Sequence, residues 1–460
     1  LIQCISPVDG STYAERTPPS DAAIASAAAF AAEAGRQWAH TPVAERARLC
    51  SALVDAFVAQ GETHRDELAW QMGRPIRYGL GEVRGFEERA RRMIALAEET
   101  LADIVLPEKA GFQRFIRRTP LGVLLTVAPW NYPYLTAVNS VIPALMAGNA
   151  VLLKHSHQTP LCAERMVEAG EAAGLPSGLF QFLHLTREQT AKLIKHPLIG
   201  GVAFTGSVPG GAQIEEAAAG RFIPVGLELG GKDPAYVRND ANLAHAIENV
   251  VDGAFFNSGQ SCCGIERVYV HSDIYDAFVD GTVDLTKQYV LGSPLDEATT
   301  LGPCVRTSAA DFVRGQITEA VAAGARALVD PSGFAMNQEG TPYLAPQVLV
   351  DVDHSMRVMN EESFGPVVGI MRVRSDDEAI ALMNDSSLGL TASIWSEDVG
   401  TALALGDRIE TGTVFLNRCD YLDPELAWTG VKDSGRGCTL SRLGYEQLTR
   451  PKSFHFRVAT

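Results

Sequence analysis

Leu124-Leu125-Thr126-Val127-Ala128-Pro129-Trp130-Asn131 and, further on, Ala150-Val151-Leu152-Leu153-Lys154 are the stretches that decide the fold. Each is a short, almost unbroken apolar run that stops at a proline or a lysine, the pattern of a strand covered on both faces. Residues 179–183 and 202–204 repeat it. The segments between them carry helix punctuation: Thr159-Pro160 opens one helix and Gly174 closes it. Alternation of this kind over residues 123–228 predicts a parallel α/β sheet, with its ligand site at the carboxyl ends of the strands.

Working outward, a second α/β region runs from about Gly231 to residue 433. The first hundred residues read as helices. Thr41 is the expected N-cap there, Pro42 the first helical position, and Leu49, Leu53, Val54, Phe57 and Val58 the buried stripe. Residues 112–118 alternate apolar with basic side chains, as an exposed strand does, and the tail from Ser453 alternates again like an edge strand in search of a partner. Residues 121–153 contain no charge, yet Pro129, Pro133, Pro143, Asn131, Asn139 and Asn149 suit a buried strand–helix–strand rather than a membrane span.

A chain of 460 residues is expected to form two or three domains. Its 46% hydrophobic and 20% charged residues are those of a soluble enzyme, and a net charge of −16 excludes a nucleic-acid binder. Any anionic cofactor must then be held by local positive charge. Eight scattered cysteines without metal-ligand spacing point to a reducing, cytoplasmic home and to no metal site. The chain opens on Leu1 without a basic n-region; the missing initiator methionine suggests that a short leader has been trimmed or left out.

Chemistry is concentrated in Asn257-Ser258-Gly259-Gln260-Ser261-Cys262-Cys263, where a cysteine follows a small polar turn, and in Glu228, 34 residues earlier between Leu227 and Leu229. A buried structural thiol and a solvated strand-end carboxylate are the plain alternatives. The absence of core periodicity around Cys262 favours a nucleophile, and Cys263 reads as its pocket neighbour. A carboxylate in apolar surroundings has a raised pKa and can take a proton from water. Phe204-Thr205-Gly206-Ser207, with Gly211, follows a strand and opens a helix, as a pyrophosphate site does and as an ordinary βα turn does; it is not the Gly-x-Gly-x-x-Gly fingerprint. Lys154 offers positive charge at the same end of the sheet, and Asn131 an amide donor for an oxyanion.

Together these motifs resemble the aldehyde dehydrogenase superfamily over nearly the whole chain. They are Ala128-Pro129-Trp130-Asn131, Phe204 to Ser207 with Gly211, Leu227 to Lys232, Gly259 to Cys262, Glu361 to Val367, Asn417, and Gly430 to Gly435. The resemblance implies a Rossmann-like cofactor domain, an α/β catalytic domain and a protruding β oligomerisation element. Their expected extents are 1–110 with 126–230, 231–433, and 111–125 with 445–460, in a homodimer or homotetramer. It implies Cys262 as nucleophile, Glu228 as base for the hydrolytic water, and Asn131 with the Cys262 N–H as oxyanion hole. Trp130, Lys154, His157, Phe204, Gly206, Ser207, Gly211, Leu229, Glu362 and Phe364 fall where the family contacts NAD or NADP. Tyr132, Leu135, Asn139, Phe256, Ser261, Cys263 and Trp428 fall where it lines the substrate tunnel.

Four departures from the family pattern bear on function. His157 stands where NAD-selective members carry a ribose-binding glutamate, which makes NADP acceptable. The turn at 183–186 is short and lacks glycine. Thr439 replaces the distal glutamate of the usual Ser-Gly-x-Gly-Arg-Glu ending, so Glu228 must work without it. Ala427-Trp428-Thr429-Gly430 places an indole beside the tunnel. The expected activity is oxidation of an aldehyde, medium-sized, aromatic or a semialdehyde, to its acid through a Cys262 thiohemiacetal and thioester. The rivals are a CoA-acylating dehydrogenase and a catalytically silent homologue. For an anionic substrate, the acidic loop 420–425 and Arg418 beside it pull in opposite directions.

Overall fold

The computed structural model describes residues 1–459. Its organising element is a six-stranded sheet in the order Gly435–Arg436, Val225–Glu228, Ile199–Thr205, Val123–Ala128, Ala150–His155 and Phe180–Phe182. All neighbours are parallel except the first pair. Every residue of Val123–Ala128 is buried, because helices cover both faces. Burying each such Val or Leu contributes roughly 1.5–3 kcal/mol. The chain leaves Val123–Ala128 toward one side and later returns to its other side as Ile199–Thr205. The crevice beyond the carboxyl ends of these two strands is therefore the sheet's switch point, where ligands of such folds bind.

A second sheet has seven strands, in the order Arg326–Ala327, Gln347–Val350, Val367–Val373, Ile265–His271, Asp233–Val237, Thr391–Trp395 and Thr413–Leu416. A three-stranded antiparallel sheet joins Thr449–Arg457, Phe112–Pro120 and Ile104–Val105. The alternating tail thus finds its partner, with Phe454 opposite Phe115 and their rings stacked at 4.5 Å.

Three details differ from the sequence reading. The first hundred residues are not all helix: Ile2–Ile5 and Thr12–Arg16 form a hairpin, turned at Asp9-Gly10 with Gly10 at φ 78°. The helix expected to start at Pro42 is Val43–Val58, with Pro42 at the N-cap position and no side-chain cap hydrogen bond. The boundary expected at 125/126 falls inside Val123–Ala128, and Gly435–Arg436, beyond the expected end of the catalytic region, pairs back onto Val225–Glu228. Among the described residues no helix is long and apolar enough to cross a membrane.

Candidate active site

The helix Leu243–Phe255 ends in a tight turn in which Asn257, Ser258 and Gly259 all take positive φ (53°, 58° and 70°). Two non-glycine residues in this region cost roughly 1–3 kcal/mol each, and such a conformation persists only where the surroundings impose it. Here they do. Ser258 Oγ donates to the Gly302 carbonyl at 2.8 Å, and Asn257 Nδ2 donates to the carbonyls of Asn131 (3.2 Å) and Gln260 (3.1 Å). At position 259 a side chain is excluded, since a Cβ would lie 2.3 Å from the Gly365 carbonyl. The turn delivers Cys262, half-buried, to the wall of a cavity of about 470 Å³. Among the described residues no acceptor is found for the Cys262 backbone N–H. Asn131 is buried nearby, its Nδ2 donating to the Gln260 carbonyl at 3.2 Å.

Glu228 ends the strand Val225–Glu228 and lines the same cavity. Thr205 Oγ1 donates to its Oε2 at 2.9 Å, and Thr439 Oγ1 donates to its Oε1. Burial raises the Glu228 pKa, against the opposing pull of the two hydroxyls and of the Arg89 guanidinium.

All seven residues expected along the tunnel, Tyr132, Leu135, Asn139, Phe256, Ser261, Cys263 and Trp428, line this cavity. Sequence reasoning missed Arg89, which is buried and donates to the Leu135 carbonyl at 2.7 Å; of the acidic loop it singled out, Asp420 lines the cavity, its carboxyl pushed up to about 6 by burial. Asp420 Oδ1 accepts from Cys263 Sγ (2.8 Å) and Ser261 Oγ (3.2 Å). Arg418 is exposed and does not line the cavity; it lies over the Tyr421 ring at 4.1 Å. The charge balance left open between these neighbours therefore falls to Arg89 and Asp420.

On the other side of the sheet's crevice a cavity of about 540 Å³ is lined by Val127, Lys154, Arg187, Phe204, Ser207 and Gly210, among others. Ser207 caps the helix Val208–Ala218. A Cβ at Gly211 would lie 2.6 Å from Leu229 Cδ2, so glycine there lets the helix pack closely on the Leu229 side chain. Burial and the nearby Arg187 push Lys154 down to about 8, and among the described residues its Nζ has no hydrogen-bond partner. A half-buried ammonium without an acceptor, beside a helix N-terminus, fits the anionic groups of a dinucleotide. His157 does not line this cavity; its Nε2 is 2.8 Å from the Leu185 carbonyl. Arg187, the first residue of Arg187–Lys195, supplies the second cation, and nothing in the reading of position 157 pointed to it.

Toward the second sheet, Trp130 and Phe364 meet edge to face at 5.6 Å. Buried Lys232 pairs with Glu266, which accepts from the backbone N–H groups of Ser363 (2.7 Å) and Phe364 (2.9 Å). The two motifs around 230 and 362 are thereby tied together. Glu362, pushed up to about 8 by burial and by Glu266, accepts from the Gly231 N–H at 3.0 Å.

The model of the aldehyde dehydrogenase family matches residues 1–454. A succinate-semialdehyde dehydrogenase [NADP(+)] of Mycolicibacterium paratuberculosis is 36% identical over 457 residues, covering 98% of this chain and 96% of the relative. An NADP-dependent glyceraldehyde-3-phosphate dehydrogenase from Bacillus halodurans C-125 superposes with a TM-score of 0.94 at 33% identity, over 100% of this chain and 96% of that one. An NAD-dependent aldehyde dehydrogenase from Sinorhizobium meliloti superposes with a TM-score of 0.96 at 31% identity, over 100% and 92%.

Proposed function

The chain belongs to the aldehyde dehydrogenase family, and from that premise we propose that its NAD(P)-dependent aldehyde oxidation runs through a thioester on Cys262. The observation that carries the reading is that Cys262 and Glu228 line one cavity, the thiol delivered by a strained turn and the carboxylate braced by two hydroxyls.

The Cys262 thiolate adds to the aldehyde carbon, and the oxyanion accepts from the Cys262 N–H and from Asn131 Nδ2. NAD(P)+, when bound, supplies the acceptor for the hydride that leaves this carbon. Lys154, in the wall of the far cavity, holds the cofactor's anionic groups. Glu228 then removes a proton from water, whose oxygen attacks the thioester carbon; the carbon–sulfur bond breaks, releasing the acid and the Cys262 thiolate. Replacing Cys262 with alanine is expected to abolish aldehyde-dependent absorbance at 340 nm. Turnover at the wild-type rate would overturn the assignment.

NADP is the favoured cofactor, because Lys154 and Arg187 line the far cavity and no carboxylate stands at position 157 to repel a 2′-phosphate. The favoured substrate is a semialdehyde. Arg89 is buried in the cavity wall with no ion-pair partner among the described residues, and it can meet a carboxylate. Asp420 already accepts two hydrogen bonds. Succinate semialdehyde is expected to exceed butanal in kcat/KM by about tenfold or more; an amine-bearing aldehyde ahead of both would transfer the tail-binding role to Asp420. The sheet of Thr449–Arg457 and Phe112–Pro120, with Phe456 49% exposed, is the proposed contact between copies in a cytoplasmic homo-oligomer.

A further inference from the structure

The carboxylate of Glu228 is held from two directions. Thr205 reaches Oε2 from the end of its own sheet strand, and Thr439 reaches Oε1 from the C-terminal segment. Thr439 is itself fixed by a reciprocal pair of backbone bonds: Trp428 N–H donates to its carbonyl at 2.8 Å, and its N–H donates to the Trp428 carbonyl at 2.9 Å. The Trp428 side chain lines the substrate cavity. One rung therefore sets both a wall of that cavity and a hydroxyl on the carboxylate.

We propose that Thr439 is a positioning residue for water activation: its hydroxyl keeps Glu228 ionised and aimed. This rests on the reading of Glu228 as base. A hydroxyl donor favours the charged form of the carboxylate, whereas a carboxylate at 439 would set a like charge beside it. The other ionisable groups facing Glu228 are Arg89 from helix Ile76–Leu101, Cys262, Cys438 next to Thr439, and Arg436, which lines a small cavity behind the carboxylate. Arg89 also favours ionisation, and it is left in place by a change at 439.

The test is stopped-flow and steady-state kinetics of Thr439→Val, Thr439→Ala, Thr439→Ser and Glu228→Gln between pH 6 and 9, with succinate semialdehyde and NADP+. For the valine and alanine variants, the first-turnover rate and kcat/KM should stay within about twofold of wild type, with KM falling in step with kcat. Their steady-state kcat should fall about tenfold at pH 6 and recover to within about twofold at pH 9, as loss of one hydrogen bond to a charged group implies. Serine should restore the wild-type profile. A kcat profile of valine and alanine that keeps the wild-type acid limb would overturn the proposal, and so would a loss equal at all pH values. Wild-type hydrolysis by Glu228→Gln would instead overturn the base assignment, whatever position 439 does.

Discussion

Arg74 donates a 2.6 Å hydrogen bond from Nη2 to the backbone carbonyl of Asn131. The same guanidinium pairs with Glu82 and donates from Nε to Asn257 Oδ1 at 3.3 Å. Glu82 in turn accepts from the N–H of Tyr134 at 2.9 Å, at the start of the helix Pro133–Met146. One buried cation thus fixes both the Asn131 loop and the turn that carries the nucleophile. Removing it alone strands a buried carboxylate. Arg74→Met is expected to cost about 3–5 kcal/mol in urea unfolding, and Arg74→Met/Glu82→Gln to regain part of that loss. A double variant no more stable than Arg74→Met would show that the pair is not coupled.

Cofactor choice should respond to charge at the far cavity. Arg187→Ala is expected to raise KM for NADP by roughly tenfold while leaving KM for NAD within about twofold, because only the 2′-phosphate loses a charged partner. Equal changes for both cofactors, measured at fixed aldehyde concentration, would place Arg187 elsewhere than on that phosphate.

The hydrolytic half-reaction should fail in acid. Burial raises the Glu228 pKa, so the active carboxylate form is present above that value and is lost as pH falls through it. Steady-state kcat is expected to show an acid limb above the ordinary carboxylate range, and single-turnover formation of the reduced cofactor is not expected to share it. Coincident limbs in the two measurements would contradict this division.

Legibility was uneven for physical reasons. Strands such as Ala150–His155 were readable because burial on both faces leaves an unbroken apolar run. The tail strand Thr449–Arg457 was readable from alternation, although its partner lies more than three hundred residues away. The hairpin Ile2–Ile5 with Thr12–Arg16 was missed despite its Asp9-Gly10 turn, a local signal that the helical residues after it outweighed. Cys262, Glu228 and Asn131 stood out through motif and resemblance. Arg89 and Arg187 did not, because charge on a helix carries no sign of what it will face; Thr439 was legible only as the loss of a glutamate, not as a hydroxyl that donates to Glu228. Only packing brings Arg89 of Ile76–Leu101 to the cavity that Cys262 lines.

Assembly should depend on the tail. Ending the chain after Leu448 removes the strand that stacks Phe454 on Phe115 at 4.5 Å. Light scattering is expected to shift from an oligomer toward the mass of one chain. An unchanged oligomer would move the contact to another surface.

Intact-protein and peptide mass spectrometry of Glu228→Gln, mixed with succinate semialdehyde and NADP+ and quenched in acid, tests the central claim most directly. The account predicts a succinyl adduct that builds up on the peptide containing Cys262 and maps to that sulfur, with little in the wild-type protein at the same time. An adduct on Cys263, or reduced cofactor released in repeated turnovers without any adduct in either protein, would contradict it.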